Sequence, residues 1–425
     1  MAKTYDSYKD SGIAWIGEIP SEWKVEKARH LFTQRNSKGN DTPVLLSATQ
    51  LHGMYPQHLL EGVVQVHKDT DLQTFKTVHK NDYVISLRSF QGGFEMSDFE
   101  GVCSPAYQVF YNISKICHQY YKLLFKSQGF ISMINSLVVG IREGKNIQYG
   151  SFSYSYLPVP PINEQEKIAS FLDTKCGEID SLISLQEEMI SELQAYKQSV
   201  ITEAVTKGLD PNAKMNCCAS REKNDACISS SETQPAIERK FKDSGVEWIG
   251  EIPEGWNLSR AKFLVEITHG TDPRTDGDIP VYGSGAGSFK TCGEYKEGDA
   301  VLIGRKGATL NIPHYIVGKY WNVDTAFDVK AKNCFSLRYY YYLAFCFDYK
   351  KYMSQTTLPG MTQSDYNNMT LPFPPLNIQK SIATYLDSKT SQIDSLITLK
   401  QQKIDELKSY KKSIIYEYVT GKKRV

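Results

Sequence analysis

The chain has 425 residues, of which 41% are apolar and 23% are charged, so it is long enough to form two or three globular domains. No apolar run approaches the roughly 18 residues that span a bilayer, and the polar N-terminus is unlike a signal peptide, so we expect a cytoplasmic protein. The net charge of +1 argues against a broad basic surface, and nine cysteines without CxxC spacing indicate reduced thiols rather than a zinc site.

The chain opens with a phrase that it later repeats. KDSGIAWIGEIPSEW begins at Lys9, and KDSGVEWIGEIPEGW begins at Lys242. Each copy is followed by an unlike stretch and then by a second shared segment, LPVPPINEQ from Leu157 and LPFPPLNIQ from Leu371. Self-similarity of this kind indicates an internal repeat. The sequence therefore predicts a pseudo-two-fold protein with constant and variable parts.

The first variable part, residues 24–156 (region 1), has the pattern of a mixed α/β domain. A strand-like run, YVISL from Tyr83, leads into SLRSFQGGF, and GIREGKNIQYGSF follows from Gly140. Arginine can fork onto guanine and glutamine onto adenine, and glycine lets the backbone approach a phosphate. The candidate DNA contacts of region 1 are Arg88, Ser89, Gln91, Arg142, Lys145, Asn146 and Gln148.

The proline-rich segments LPVPPINEQ and LPFPPLNIQ are the two hinges of the chain. A long helix is predicted after the first hinge, because no proline occurs between Pro161 and Pro211. Apolar residues recur there at spacings of three, four and seven, which is the pattern of a coiled-coil seam. The predicted seam consists of Ile179, Leu182, Met189, Leu193, Tyr196 and Val200, with Ile393, Leu396, Leu407, Tyr410 and Ile414 at the matching positions of a second long helix.

The two long segments carry opposite net charge, −5 over residues 162–207 and +2 over residues 376–421. Opposite charges on neighbouring helices select partner and orientation. We therefore expect the helices to pack on each other over roughly 60 Å. A spacer that only holds two domains apart is the plainer alternative. Further apolar residues widen the stripe enough to bind another protein, and these predicted partner-binding residues are Ile183, Ile190, Ile397 and Ile404.

The second variable part, residues 257–370 (region 2), also predicts mixed α/β structure. AVLIG from Ala300 leads into IGRKGATLN, while VYGSGAGSFK from Val281 could cradle a phosphate. LPGMTQSDYNNM from Leu358 precedes the second hinge. A tight turn in a β-rich domain explains any one of these stretches equally well. The candidate DNA contacts of region 2 are Ser284, Arg305, Lys306, Thr362, Gln363 and Ser364.

Four consecutive tyrosines begin at Tyr339 in region 2. On a helix they point in four directions, so we expect core packing rather than a stacking platform for bases. Regions 1 and 2 carry net charges of +4 and +2, so a modest positive surplus lies where the candidate contacts lie.

These elements give the expected fold class and domain order. The class is α+β, with two mixed α/β domains joined by two long antiparallel helices in a pseudo-two-fold repeat. The expected segments are region 1 with its opening phrase (1–156), a long helix (157–208), a flexible polar connection (209–240), region 2 with its opening phrase (241–370) and a second long helix (371–425).

The sequence carries no familiar catalytic motif. It lacks a Walker lysine loop, a GxGxxG turn, HExxH and GxSxG, and also the NPP[FY] and DPPY signatures of adenine methyl transfer. A carboxylate cluster of nuclease type stays open, because such clusters are too loose to see in one sequence.

The chain resembles the specificity (S) subunits of type I restriction-modification systems. The resemblance rests on KDSGxxWIGEIPxxW at the head of each half, LPxPPxxxQ at each hinge and helices centred on IDSLI. ISLRSFQGGFE followed by SPAY, GRKGATLN followed by DTAF, and LPGMTQSDYNNMTLPFPP are also typical of that family. The motifs occur in order over nearly the whole chain. The cysteine-containing connection, residues 216–239, is longer than the family pattern.

The resemblance implies a role for each part. Regions 1 and 2 would be target recognition domains that each read one half of an asymmetric, bipartite DNA target with a fixed spacer. The helices would set that spacer and dock two methyltransferase subunits, which restriction subunits would join. The chain itself would be non-catalytic and without a cofactor, since S-adenosylmethionine, ATP and Mg²⁺ would belong to the partners.

Two other functions stay open from the residues alone. A stand-alone nuclease or methyltransferase with a divergent site would show turnover by the purified chain. A scaffold whose two domains grip proteins would show no salt-dependent binding to duplex DNA, whereas phosphate contacts must weaken as salt rises.

Overall fold

A computed structural model describes residues 4–39, 44–50, 52–60, 72–137, 147–209, 240–285, 287–307, 309–352 and 359–425. The chain divides into two compact units. Unit 1 comprises Met1–Glu187 and Gln401–Val425, and unit 2 comprises Glu188–Lys400. Each unit thus holds one variable region together with part of each long helix. Within the described ranges, no helix combines the length and apolar character needed to cross a membrane.

In its described residues, unit 1 contains twelve strands and six α-helices, the last of which continues into unit 2. They are β1 (Tyr8–Asp10), β2 (Glu18–Pro20), β3 (Lys24–Lys27), α1 (Ala28–Leu31), β4 (Phe32–Arg35), β5 (Leu46–Thr49), β6 (Gly53–Pro56), β7 (Lys76–Val78), β8 (Tyr83–Ile85), α2 (Ser89–Gly92), β9 (Glu95–Met96), β10 (Gly101–Cys103), β11 (Gln108–Asn112), α3 (His118–Lys126), α4 (Gln128–Ser136), α5 (Tyr149–Ser153), β12 (Tyr156–Val159) and α6 (Ile162–Lys207).

Unit 2 repeats this plan, and its last helix continues into unit 1. Its elements are β13 (Phe241–Asp243), β14 (Glu251–Pro253), β15 (Asn257–Arg260), α7 (Ala261–Leu264), β16 (Val265–His269), β17 (Ile279–Tyr282), β18 (Ser288–Cys292), β19 (Lys296–Glu297), β20 (Ala300–Gly304), β21 (His314–Ile316), β22 (Lys319–Asn322), β23 (Ala326–Ala331), α8 (Leu337–Ala344), α9 (Tyr349–Tyr352), α10 (Gln363–Asn368), β24 (Thr370–Phe373) and α11 (Leu376–Val419).

The main sheets of the two units have the same strand order. It is β4-β11-β8-β9 in unit 1 and β16-β23-β20-β21 in unit 2, and all neighbouring strands are antiparallel. β8 and β20 therefore occupy equivalent places, and so do the residues that follow them. Beside this sheet, unit 1 has the hairpin β5–β6 and the pair β7–β10, whereas unit 2 has a four-stranded sheet of order β18-β17-β22-β19. The predicted mixed α/β architecture is confirmed.

Aromatic side chains fill the cores and tie each variable region to a long helix. Tyr339, Tyr340 and Tyr342 are buried and Tyr341 is half-buried, as expected of a run that packs in the core. The Tyr339 hydroxyl donates a hydrogen bond to the Val205 carbonyl of α6, at 2.8 Å. In unit 1 the Tyr120 hydroxyl of α3 donates in the same way to the Val419 carbonyl at the end of α11, also at 2.8 Å.

A glutamine joins each hinge to the helix of the adjacent variable region. Gln165 accepts a hydrogen bond from the Cys117 N–H at the start of α3 (2.9 Å) and donates one to the Pro160 carbonyl (2.8 Å). In unit 2, Gln379 likewise accepts a hydrogen bond from the Ser336 N–H at the start of α8 (2.8 Å) and donates one to the Pro374 carbonyl (2.7 Å). The last residue of the LPxPPxxxQ motif therefore fixes the region to its hinge.

The predicted long helices are confirmed as α6 and α11, of 46 and 44 residues. In unit 1, Asp180 pairs with Lys411 at 2.7 Å and Glu187 with Lys408 at 3.9 Å. The residue number rises along one helix as it falls along the other, so the helices run antiparallel there.

The same ion pair occurs in unit 2 with the helices exchanged. Lys197 of α6 pairs with Asp394 of α11 at 2.7 Å. Asp394 holds the position of Asp180 in the second repeat, and Lys411 holds that of Lys197. Each unit thus contains one copy of a single contact, as a pseudo-two-fold repeat requires.

The predicted seam of these helices is partly wrong. Leu182 and Tyr196 on α6, and their counterparts Leu396 and Tyr410 on α11, are about half exposed, at 48–57%. The side chains that the structure buries instead include Ile183 and Ile404, at 9% and 1% exposed. Both helices carry apolar residues at overlapping three- and four-residue spacings, so the sequence pattern admits either face as the packed one.

Candidate nucleic-acid interface

Arg88 stands at the end of β8 in region 1, where the chain leaves the main sheet. Its side chain is exposed, and its backbone forms the N-cap position of the short helix α2. Gln91 on the same helix is also exposed. Ser89 is 1% exposed, and its hydroxyl accepts a hydrogen bond from the Ser86 N–H at 2.8 Å. The Ser89 hydroxyl thus stabilises the turn, and its burial does not favour the predicted direct contact with DNA.

A close backbone approach holds the Arg88 turn against α3. Gly93 has φ +78°, and a Cβ at this position would lie 1.9 Å from the carbonyl oxygen of Phe125. Only glycine fits there without displacing α3.

A buried ion pair supports the same turn. Two residues beyond Gly93, the Glu95 carboxylate pairs with the Lys126 ammonium, and their side chains are 5% and 24% exposed. Burial raises the pKa of Glu95 and lowers that of Lys126, and the mutual attraction of the two charges offsets part of each effect.

The second candidate stretch of region 1 lies one strand away. Gln148 is exposed and forms the N-cap position of α5, and its Oε1 accepts a hydrogen bond from Gln108 Nε2 at 3.0 Å. Gln108 begins β11 and pairs there with Ile85, three residues before Arg88. The structure thus brings Gln148 and the Arg88 turn to the same end of the sheet. Arg142, Lys145 and Asn146 lie outside the described residues.

Arg305 leaves β20 in region 2 as Arg88 leaves β8 in region 1. Its guanidinium Nη1 donates to the main-chain oxygen of Asp324 at 3.0 Å and lies 3.3 Å from the Asp324 carboxylate. The Lys306 ammonium lies 3.7 Å from the same carboxylate. Two candidate DNA contacts therefore share one acidic neighbour.

The three candidate stretches of region 2 converge around this loop. The Gly307 N–H donates to the Pro359 carbonyl, and the Met361 N–H donates to the Arg305 carbonyl, both at 2.9 Å. Ser284, from the glycine-rich stretch, is half-buried, and its carbonyl accepts a hydrogen bond from the hydroxyl of Thr309. Segments predicted separately from the sequence thus form one loop cluster at the end of β20.

Two of the predicted contacts in the third stretch have structural roles. The Thr362 hydroxyl caps α10 in a reciprocal arrangement with Asp365. Gln363 donates to the carbonyl of Ile267, and its Oε1 lies 3.1 Å from His269 Nε2. Their hydrogen-bonding groups are used inside region 2, which the prediction of direct DNA contact did not foresee. Ser364 is exposed at the same helix N-terminus.

Comparison with known proteins shows the family to which the chain belongs. The family model for the type I restriction modification DNA specificity domain matches the chain twice, over residues 17–195 and 253–409. The chain belongs to this family.

Curated specificity subunits are similar to the chain over nearly its whole length. It is 24% identical to the type I restriction enzyme MjaVIII specificity subunit of Methanocaldococcus jannaschii, covering 96% of this chain and 94% of that one. It is 35% identical to the type I restriction enzyme EcoKI specificity subunit of Escherichia coli, but over only 19% of this chain and 17% of the relative.

Solved structures share the fold of this specificity subunit. A chain solved in work on complex assembly and conformational transition of the type I R-M system aligns with a TM-score of 0.66, covering 94% of this chain and 98% of that one. The HsdS subunit from Thermoanaerobacter tengcongensis aligns with a TM-score of 0.50, covering 95% and 98%. Both are 14% identical to this chain.

The helices of this specificity subunit expose apolar residues on a different face from the predicted one. The structure does not support Ile183 and Ile404 as partner contacts, since both are buried, and Ile190 and Ile397 are half-buried. The exposed apolar side chains of the two helices are Leu182, Leu185, Met189, Tyr196, Leu396, Leu399 and Tyr410.

Asp324 is a residue of the candidate interface that the sequence prediction missed. It lies on the turn between β22 and β23, 19 residues from Arg305 along the chain, and no periodicity or turn pattern links the two. The role of Thr362 was visible in principle, because Thr-x-x-Asp before a helix is the pattern of a capping box.

Proposed function

We propose that this specificity subunit reads two unlike DNA half-sites, one with region 1 and one with region 2. The observation that carries the proposal is that Arg88 and Arg305 both lie just beyond the ends of corresponding strands, β8 and β20. Both leave corresponding strands of sheets with the same order, yet different side chains surround them. A place beyond the end of the same strand of the fold favours the same task, and different surroundings favour different target bases.

The long helices set the distance between the two half-sites in this proposal. Each of them runs without a break from one unit into the other, so its length in turns is a fixed quantity. Removing equal numbers of turns from α6 and α11 should shorten the spacer and leave both half-sites unchanged. Altered half-sites with an unchanged spacer would contradict this role of the helices.

The partners and the chemistry complete the proposal. The chain acts in the cytoplasm as a non-catalytic subunit that binds two methyltransferase subunits through the exposed apolar residues of its helices, and restriction subunits join them. S-adenosylmethionine, ATP and Mg²⁺ are bound by those partners and not by this chain. Apolar side chains about half exposed along a helix are the expected signature of a protein-docking surface.

The test is selection from a random duplex library by the full chain copurified with its neighbouring methyltransferase subunit. Two unlike enriched halves around a spacer of fixed length are expected. A single contiguous motif would contradict a role for one region. Absence of any enrichment by an intact complex would overturn the proposal.

A further inference from the structure

The Asp324 carboxylate occupies an unusual place for an acidic group. It is 50% exposed and lies within 4.0 Å of two cations, Arg305 and Lys306, in the loop cluster at the end of β20. A carboxylate beside a DNA backbone is repelled by the phosphates, so its presence needs a compensating benefit. The ion pairs themselves are too exposed to stabilise the fold by much.

The benefit lies in how Asp324 holds Arg305. Among the described residues, the guanidinium is held through Nη1 only, by a main-chain and a side-chain oxygen of Asp324. Its other nitrogens can still form a planar fork of donors, the arrangement that matches the O6 and N7 acceptors of guanine. A long flexible side chain that is already fixed loses less conformational entropy when it binds.

The backbone around Asp324 is itself held in place. The main-chain N–H groups of Arg305 and Lys306 both donate to the Thr325 carbonyl, at 2.8 and 3.3 Å. Asn322 is fully buried, and its amide donates to the Ala326 carbonyl at 2.9 Å. Main-chain hydrogen bonds thus join the turn to the Arg305 loop and hold the backbone of Asp324 beside Arg305.

Region 1 offers an internal comparison. Among the residues that the structure describes, no carboxylate pairs with the Arg88 guanidinium within 4.0 Å. The two arginines thus lie beyond the ends of corresponding strands, one with an acidic support and one without it in the described part of the chain.

We propose that Asp324 is a positioning residue for base recognition, which orients Arg305 to read a guanine in the half-site of region 2. The inference rests on the proposed function, and it adds a residue on which the specificity of one half-site depends.

The test uses the full chain copurified with its methyltransferase subunit, and compares Asp324→Ala, Arg305→Ala and the double variant by library selection. Arg305→Ala should weaken the preference at one base pair by roughly 5- to 150-fold. Asp324→Ala should weaken it at the same base pair by roughly 2- to 10-fold, the cost of ordering one free side chain. The half-site of region 1 should stay unchanged in every variant.

The double variant separates a positioning role from direct contact. If Asp324 acts through Arg305, the double variant should match Arg305→Ala within about 2-fold. A further independent loss, or a loss at a different base pair, would mean that Asp324 contacts a base itself and would overturn the inference. So would an unchanged preference in Asp324→Ala.

Two controls exclude charge and folding effects. Asp278→Ala removes an exposed carboxylate from the same region and should leave the half-site preference unchanged. Asp324→Asn keeps an oxygen acceptor for Nη1 and should retain most of the preference. A uniform loss over all sequences, with a lower unfolding temperature, would show a structural role and overturn the inference. If the unaltered complex enriches no sequence, the proposed function fails first and the inference falls with it.

Discussion

Region 1 and region 2 place an arginine at the end of corresponding strands, yet they stabilise the surrounding loop by different means. In region 1, Gly93 packs closely against the backbone of α3, and the buried ion pair of Glu95 with Lys126 lies next to it. Region 2 uses main-chain bonds between neighbouring loops and the carboxylate of Asp324. The sheet therefore fixes where the arginine emerges, and the loops decide how rigidly it is held.

The two regions also differ in how they bury a carboxylate beneath their loops. Among the described residues, Glu95 and Asp328 each have one buried oxygen without a hydrogen-bond partner, and in region 1 Lys126 supplies the charge opposite the other oxygen of Glu95. In region 2, Asp328 pairs with Lys296 at 3.0 Å and also accepts a hydrogen bond from the Tyr320 hydroxyl at 2.9 Å. The carboxylate of region 1 thus depends on its lysine more completely than that of region 2.

The largest expected effect follows from that dependence. Lys126→Met should lower the free energy of unfolding of region 1 by about 3–5 kcal/mol at pH 7, because it leaves a buried charge without a partner. Lys296→Met should cost region 2 less, since the Tyr320 hydroxyl still binds the Asp328 carboxylate. Hydrogen exchange resolved by peptide would measure both regions in one molecule. Equal losses of stability in the two variants would show that the two carboxylates depend equally on their lysines.

The pH dependence of Lys126→Met gives an additional check. Burial already holds the pKa of Glu95 above its ordinary value of 4.5, so the folded protein binds this proton more readily than the unfolded chain does. The stability contributed by the protonated form is lost as the pH rises through the raised pKa. The deficit of the variant should therefore be smaller at pH 5 than at pH 7, and a deficit independent of pH would mean that lost packing, not charge, is responsible.

Gly93→Ala should have the next largest effect, on the order of 3 kcal/mol in region 1, because a Cβ would meet the backbone of α3 and the φ of +78° is unfavourable for alanine. Gly150→Ala in α5 is the matched control, since a Cβ there meets nothing within 4 Å. The control should leave stability unchanged or raise it by roughly 0.5–1 kcal/mol. Similar behaviour of the two variants would show that the glycine contact does not hold the Arg88 turn.

Arg88→Ala tests the comparison at the level of recognition. It should relax or abolish only the half-site of region 1, at about 1–3 kcal/mol if the side chain forks a base, with the half-site of region 2 as the control within the same molecule. Library selection and binding at two salt concentrations would measure this. A uniform loss over all sequences with a shallower salt dependence would instead assign Arg88 to a phosphate.

The smallest effect is expected at the two repeated ion pairs of the helices. Lys411→Ala in unit 1 and Lys197→Ala in unit 2 should each cost about 0.2–1 kcal/mol, and by similar amounts, because both pairs are partly exposed. Thermal unfolding at low and high salt would measure the loss, which should shrink as salt rises. A large difference between the two variants would mean that the two copies of the ion pair contribute unequally to stability.

Much of the fold was predictable because repetition and proline placement are visible in the sequence. The two halves, the hinges, the long helices and the strand before each arginine follow from the repeated phrases, Pro161 and the apolar runs. The packed face of the helices was not predictable, since apolar residues occur at overlapping spacings. Leu182 and Ile183 are neighbours in sequence, and only the packing in the folded chain decides which of them is buried.

The site was predictable as stretches and less so as individual residues. The three stretches of region 2 meet in the structure, although the sequence predicted each of them separately. Ser89 and Thr362 read as surface polar residues but serve the backbone of their own turns. Asp324 acts across a fold that brings distant segments together, so nothing local in the sequence points to it.

The hinge glutamines have a consequence for how such proteins can evolve. Gln165 binds α3 through a main-chain N–H, and Gln379 does the same at α8, so neither bond depends on the side chain at the start of that helix. A joint of this kind accepts any helix that presents a free N–H at the right place. One variable region could therefore be exchanged for an unrelated one by recombination within the flanking constant segments, which would give a new DNA target without redesign of the joint.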